Sequence, residues 1–291
     1  MPFGTSSKKR LGPSRRKDAV RALRERGCSQ RGACRIVGIS ERAMQYRCRR
    51  RDDPRLIERM KALAGERPRW GWRRLLIMVR REGWGIGERA FRRIYRSLGL
   101  HVLRTRKRRV RYVRGNALEP ATQPNERWSM DFMHARLTSQ RSYRLLTVVD
   151  ECTGESLAIA PRFSSGSANV IRALEAIAFE RGLPKVLRAD NGSEFCSHRM
   201  LRWAAEQNVA LHFIQPGKPT QNAKIESLNG RIRDELLNPN LLATLTEVEA
   251  ATEDWRADYN DVRPHSGLGY LTPREFAAQF AKHSPSQLPA A

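Results

Sequence analysis

The sequence predicts an α/β core, with a mixed five-stranded sheet flanked by helices, preceded by all-α helix-turn-helix units. Three observations carry that expectation. The charge is split along the chain: residues 1–120 hold 36 Lys+Arg and 10 Asp+Glu, whereas residues 121–291 hold 19 and 20. In the basic part, short apolar stretches at helical spacing are separated by glycine turns. In the neutral part, three strand-like runs come first, and helix-like and strand-like runs then alternate.

Composition narrows the class. The net charge is +25, and 40% of the 291 residues are hydrophobic. That much apolar surface can bury ordinary cores, which excludes a disordered tail or a collagen-like fibre. No apolar run approaches the length of a membrane span. The basic start Met1-Pro-Phe-Gly-Thr-Ser-Ser-Lys-Lys-Arg10 lacks an apolar stretch, so no secretory signal is expected. The five cysteines form no Cys-x-x-Cys pair, which argues against a disulfide scaffold or zinc ribbon and for a reduced compartment. A polycationic half attracts phosphate backbones by Coulomb force and counterion release. The dominance of Arg over Lys adds bidentate capacity. A solvated basic surface is the plainer alternative.

The basic half divides in two. Residues 1–52 read as a helix-turn-helix-like segment. Helix 15–26 ends at Gly27, a short helix runs from Ser29 to Val37, and Gly38-Ile-Ser40 makes a turn whose serine caps a third helix from Glu41 to Arg50. Arg42, Arg47, Arg49 and Arg50 make that third helix basic, which favours DNA over a plain bundle, and Arg42 and Arg47 are the candidate contacts. Residues 53–100 read as a second three-helix DNA-binding unit, starting at Pro54 and ending at Gly99. Trp70, Trp72 and Trp84 are read there as core rather than as base-stacking platforms. Residues 101–124 form an Arg-rich arm or linker. Arg104, Arg106, Lys107, Arg108 and Arg109 are candidate phosphate or groove contacts, with a solvated linker as the alternative.

Residues 125–240 are expected to be the core, and 241–291 its C-terminal helical extension. Trp128 to His134 alternates, with Trp128, Met130 and Phe132 on one face and Ser129, Asp131 and Met133 on the other. Strands are expected at 144–149, 156–163, 186–189 and 210–214, and helices at 168–179, 199–208 and 222–237. The order matches ribonuclease-H-like folds. Three carboxylates stand out against it. Asp131 sits mid-strand among apolar residues, where an unpartnered charge is costly. Asp190 ends a strand at an Asn-Gly turn, where ligands gather in α/β sheets. Glu226 lies on a helix whose stripe Ile225, Leu228, Ile232 and Leu236 docks on the sheet, and Asn229 and Arg233 share its face. Three carboxylates from separate segments can hold two Mg²⁺ ions for an in-line phosphoryl displacement.

Three segments are similar to DDE transposases related to retroviral integrases: Trp128-Ser-Met-Asp131, Ala189-Asp-Asn-Gly-Ser-Glu-Phe195, and Gln215-Pro-Gly-Lys-Pro-Thr-Gln-Asn-Ala-Lys-Ile-Glu-Ser-Leu-Asn-Gly-Arg231. Asp190 and Glu226 have 35 residues between them, the spacing of that group, and Arg233 falls at its usual basic position. Tyr259-Asn-Asp-Val-Arg-Pro-His265 and Leu268-Gly-Tyr-Leu-Thr-Pro273 also match. More narrowly, the chain resembles the OrfB product of an insertion sequence of the IS-three family. The resemblance implies a ribonuclease-H-like core and metal-dependent DNA strand cleavage and transfer. It implies two Mg²⁺ or Mn²⁺ ions on the catalytic triad Asp131, Asp190 and Glu226. It makes Asn191 a hydrogen-bonding support for the second carboxylate, and Lys224, Asn229, Arg231 and Arg233 contacts for the DNA ends. The implied partners are element terminal repeats and target DNA, further copies in a synaptic complex, and the first-frame OrfA protein or its fusion. The implied place is the bacterial cytoplasm, at the nucleoid.

Other residues carry plainer readings. Asp150 suits the Thr153-Gly154 turn better than a ligand role, and Glu194 suits either a pocket wall or a helix start. Cys28, Cys34 and Cys48 lack zinc spacing. Thr272-Pro-Arg-Glu275 is a capping box. Two competing functions remain: a non-enzymatic terminal-repeat-binding regulator or inhibitor of the full transposase, and a nuclease of the same fold acting on RNA–DNA hybrids.

Overall fold

A computed structural model describes residues 13–45, 52–100, 102, 120–164, 166–215 and 222–282. Arg47, Arg104, Arg106, Lys107, Arg108 and Arg109 lie outside the described residues, as do the second half of the expected third helix and most of the Arg-rich arm. The chain divides into two compact units, Met1–Pro54 and Arg55–Ala291.

The first unit is helical. Helices α1 (Pro13–Glu25), α2 (Gln30–Val37) and α3 (Glu41–Gln45) surround a small core of Val20, Ala33 and Cys34, with Leu23, Val37, Ile39 and Met44 against it. The capping chemistry is local. The Ser29 hydroxyl accepts the Gly32 N–H at 3.2 Å and starts α2. Gly38 adopts a left-handed φ of 70° that ends it. The Ser40 hydroxyl then accepts the Ala43 N–H at 3.1 Å and opens α3, as the turn residues predict. Arg42 is exposed on α3.

The second unit begins with three helices, α4 (Pro54–Glu66), α5 (Trp72–Arg81) and α6 (Glu88–Ser97). Met60, Leu63, Trp70, Leu75, Val79, Phe91 and Ile94 bury their side chains together, and Trp72 and Trp84 pack against them. All three tryptophans therefore serve the core. These helices are tied to the C-terminal part of the same unit. Arg67 pairs with Asp258, Arg74 donates to the Pro264 carbonyl at 3.2 Å, and Arg81 pairs with Glu275 at 2.8 Å.

The sheet holds β1 (Arg127–Arg136), β2 (Ser142–Asp150), β3 (Ser156–Arg162), β4 (Val186–Ala189) and β5 (Ala210–Phe213), in the order β3-β2-β1-β4-β5. The first three strands are antiparallel neighbours, and β4 and β5 run parallel to β1. The alternation read in β1 decides which layer each face meets. Trp128 and Met130 join Val170 and Leu174 of α7 (Ser167–Arg181) and Met200 and Trp203 of α8 (His198–Glu206). Met133, on the other face, joins Ile225, Leu228 and Ile232 of α9 (Ala223–Ile232) and Val248 and Tyr259 of α10 (Leu245–Asp261). The helix expected over 222–237 changes pitch: α9 ends at Ile232, and a π-helical turn spans Arg233–Leu237. The capping box forms as read. Thr272 accepts the Glu275 N–H at 3.1 Å and Glu275 accepts the Thr272 N–H at 2.7 Å, opening α11 (Pro273–Lys282). Among the described residues no helix is long and apolar enough to cross a membrane.

One side chain pins the edge strand to the helical layer. Buried Asn260 of α10 accepts the Ser156 N–H and donates to the Ser156 carbonyl, both at 2.9 Å. Asn260→Ala leaves the buried Ser156 N–H without its partner, while the Ser156 carbonyl keeps a longer bond from Arg256 at 3.5 Å, and is expected to cost about 1–3 kcal/mol in a denaturant titration.

Candidate active site

Asp131 lies mid-β1 on the α9 face, half-buried, and both of its carboxylate oxygens are engaged. Oδ1 accepts the Phe132 N–H at 2.7 Å, and Oδ2 accepts the Asn229 side-chain amide of α9 at 2.7 Å. Asn229 is itself oriented. Its Oδ1 accepts the Thr147 hydroxyl of β2 at 2.8 Å, and that hydroxyl also reaches the Asp131 carbonyl at 3.2 Å. Thr147 stands opposite Asp131 in the β1–β2 register. A polar residue inside the apolar run Leu145-Leu-Thr-Val-Val149 was the available signal for Thr147. Asn229, read as a DNA contact, has its amide turned to Asp131 and Thr147.

Asp190 follows the end of β4 and is half-buried, and the Gly192 N–H donates to its Oδ1 at 3.0 Å. A Cβ on Gly192 would stand 3.0 Å from Asp190 Oδ1, 3.2 Å from Glu194 Oε2 and 3.4 Å from the Phe195 ring. A side chain here would make these neighbours shift by a few tenths of an ångström. Asn191, read as the support of Asp190, donates instead to the Ile214 carbonyl at 3.1 Å. Glu226 sits in the first turn of α9, exposed, next to buried Ile225.

Burial pushes the Asp131 carboxyl up to about 6; the Phe132 N–H and the Asn229 amide oppose that rise, and the charges of Asp190 and Glu226 add to it. The charges of the acids at the β4 end and on α9 thus reach the one on β1. Burial also pushes the Glu226 carboxyl upward. A pocket of about 320 Å³ opens here, lined by Asp131, Glu226, Asn229 and Arg233 with Phe132 to His134.

The other candidates fall in different places. Lys224 is exposed on the first turn of α9, and its charge reaches the Cys152 thiol beyond β2. Arg231 is half-buried and donates to the Tyr259 hydroxyl at 2.9 Å, joining α9 to α10. Asp150 is buried and serves its turn, accepting the Asn125, Cys152 and Thr153 N–H groups at 2.8, 2.8 and 3.1 Å. His265 packs edge-on to Tyr259, and burial, with nearby Arg263 and Arg231, pushes it down to about 3, so it is neutral and structural.

The donor set fits a hard divalent cation: all three groups are carboxylates, and their mutual repulsion is what a cation relieves. Among the described residues no three His, Cys, Asp or Glu side chains already close into a metal cage.

The chain is similar to known proteins over most of its length. Two integrase core domain families match, over residues 121–219 and 207–273. An uncharacterized 31.7 kDa protein of insertion element IS407 from Burkholderia multivorans is 44% identical over 89% of this chain and 94% of its own length. The transposase InsD of insertion element IS2D from Escherichia coli is 24% identical over 91% of this chain and 96% of its own. The catalytic core of HTLV-2 integrase, solved with magnesium, is similar at 19% identity and a TM-score of 0.44 over 53% of this chain and 97% of that one. With the integrase core matched and an insertion-element relative aligned along nearly its whole length, this chain belongs to the insertion-sequence transposases that carry a ribonuclease-H-like integrase core.

Proposed function

We propose that the chain is a DDE transposase that cleaves DNA at the ends of its insertion sequence and joins those ends to target DNA. The observation that supports this reading is that Asp131 and Glu226 line one open pocket while the charge of Asp190 also reaches Asp131. Divalent ions held by these carboxylates, two Mg²⁺ or Mn²⁺, would supply Lewis acidity to the phosphoryl oxygens.

The remaining work falls to the chain. Asn229 and the Phe132 N–H fix the Asp131 carboxylate in one orientation, so its oxygens cannot turn away from the pocket. Arg233 and Lys224, both exposed on the carboxylate-bearing stretch of chain, offer positive charge to a phosphate backbone. The basic N-terminal half, with Arg42, Arg47 and the Arg104–Arg109 run, supplies positive charge for duplex DNA. In the first step a water oxygen attacks an end phosphodiester and the 3′-oxygen leaves as a hydroxyl. In the second that hydroxyl attacks a target phosphodiester, and a new phosphodiester replaces the broken one without a protein–DNA bond. Pairing of two element ends calls for more than one copy of the chain, with OrfA or its fusion as a further partner. The bacterial nucleoid is the expected place of action.

Asp131→Asn, Asp190→Asn and Glu226→Gln are each expected to lower Mn²⁺-dependent cleavage and strand transfer on a terminal-repeat duplex by roughly a hundredfold or more. Gel-shift binding of the same duplex is expected to persist. Strand transfer at wild-type rate in any of the three contradicts the reading, and binding without transfer by the wild-type chain favours a regulatory DNA-binding role.

A second test uses proton binding. Without metal, the Asp131 carboxyl observed by ¹³C NMR is expected to titrate near the raised value of about 6. Asp190→Asn or Glu226→Gln removes a neighbouring negative charge, so the midpoint is expected to fall. A carboxyl raised in the fold contributes stability below its unfolded pKa and loses it as pH rises through the folded one. Asp131→Asn is therefore expected to raise the metal-free melting temperature at pH 8 and to leave it little changed at pH 4.

A further inference from the structure

We propose that Arg144 of β2 and Glu194 form a positioning clamp that sets the distance between Asp131 and Asp190. The clamp rests on the triad reading above.

The β1–β4 ladder pairs Arg127, Trp128 and Ser129 with Val186, Leu187 and Arg188, and stops short of both aspartates. Asp190 is tied towards β5, through the bond from Ile214 N–H to the Ala189 carbonyl and through Asn191 to Ile214. Two side-chain contacts, besides the burial of Phe195 in the core, join its loop to the strands that present Asp131. Arg144 forms an ion pair with Glu194. Its guanidinium also lies 4.3 Å from the centre of the Phe132 ring, and Phe132 stacks on Phe195 at 5.2 Å with 17° between planes. Phe132 directly follows Asp131, and Glu194 and Phe195 close the turn that Asp190 opens. The two side chains of the ion pair are only 28% and 18% exposed, so the pair is shielded from water and more costly to break than a surface bridge.

Charge gives the clamp a second effect. Glu194 Oε2 and Asp190 Oδ1 both approach Gly192 closely, so Glu194 brings a fourth negative charge beside the triad. Arg144 neutralises it. Without Arg144, the negative charge of Glu194 beside Asp190 would lose its counter-charge. Arg144 acts through Glu194 and Phe132, and it is a positioning residue rather than a DNA contact.

The experiment uses the full chain with Arg144→Ala, Arg144→Lys, Glu194→Gln, the double variant Arg144→Ala/Glu194→Gln, and the charge swap Arg144→Glu/Glu194→Arg. Amide hydrogen exchange is read without metal at Phe195 and Cys196, whose N–H groups bond to the Gly192 carbonyl at 3.0 Å each. Mn²⁺ binding is read by titration with electron paramagnetic resonance, and duplex binding by gel shift. Arg144→Ala and Glu194→Gln are each expected to speed exchange at both amides and to weaken Mn²⁺ binding by about tenfold. The double variant is expected to be no worse than either single one. Duplex affinity is expected to stay at the wild-type value, and Arg144→Lys and the charge swap are expected to recover part of the Mn²⁺ affinity. Wild-type exchange in both single variants overturns the clamp, as do additive losses in the double variant or lost duplex binding in Arg144→Ala. If Asp190→Asn leaves the Mn²⁺ affinity of the chain unchanged, the triad reading fails, and the exchange arm still decides the clamp.

Discussion

The half-buried Asp131 carboxylate, held between β1 and α9 against the cost of its own desolvation, is the constraint on which the proposed site depends. A strand, a strand end and a helix each carry one acid, and the charges of Asp190 and Glu226 add to the burial that raises Asp131. Such a site costs stability in the absence of a cation, so the surrounding contacts must hold it against its own charge. The α9 stripe Ile225, Leu228 and Ile232 is fully buried and keeps Glu226 in place. Asn229 and Thr147 lock Asp131 from the helix side and the strand side.

The helical layer outside the sheet extends that support. Arg263 is almost wholly buried and pairs with Glu235 of the π-helical turn, beside the Tyr259 ring that also receives Arg231. These contacts join the end of α9 to α10. Through Asp258 and Pro264, the stretch that closes α10 also meets Arg67 and Arg74 of the N-terminal three-helix group. The Tyr-Asn-x-x-Arg-Pro-His segment thus works as the seam of the second unit, and buried, neutral His265 belongs to that seam rather than to the chemistry.

Much of this was legible in the chain. Period-two alternation in β1 named the right face for Trp128, Met130 and Met133, because the two sides of the sheet meet different apolar layers. Cap residues Ser29, Ser40 and Thr272 marked helix starts, because their hydroxyls satisfy local N–H groups and need no tertiary context. Side-chain partners were less readable. Asn191 and Asn229 could each face a neighbour or the solvent, and only tertiary packing decided between Ile214, Asp131 and open water. The pitch change at Arg233, in a turn that buries Leu236, is likewise something periodicity alone does not report. Arg144 and Glu194 are 50 residues apart and carry no local pattern that would pair them.

The most direct measurement is anomalous diffraction from crystals of the full chain grown with Mn²⁺. Manganese is expected roughly 2.1 Å from carboxylate oxygens of Asp131, Asp190 and Glu226, with Asn229 still bonded to Asp131. Manganese found elsewhere, or a guanidinium seated among the three carboxylates, would contradict a metal-dependent site at this face of the sheet.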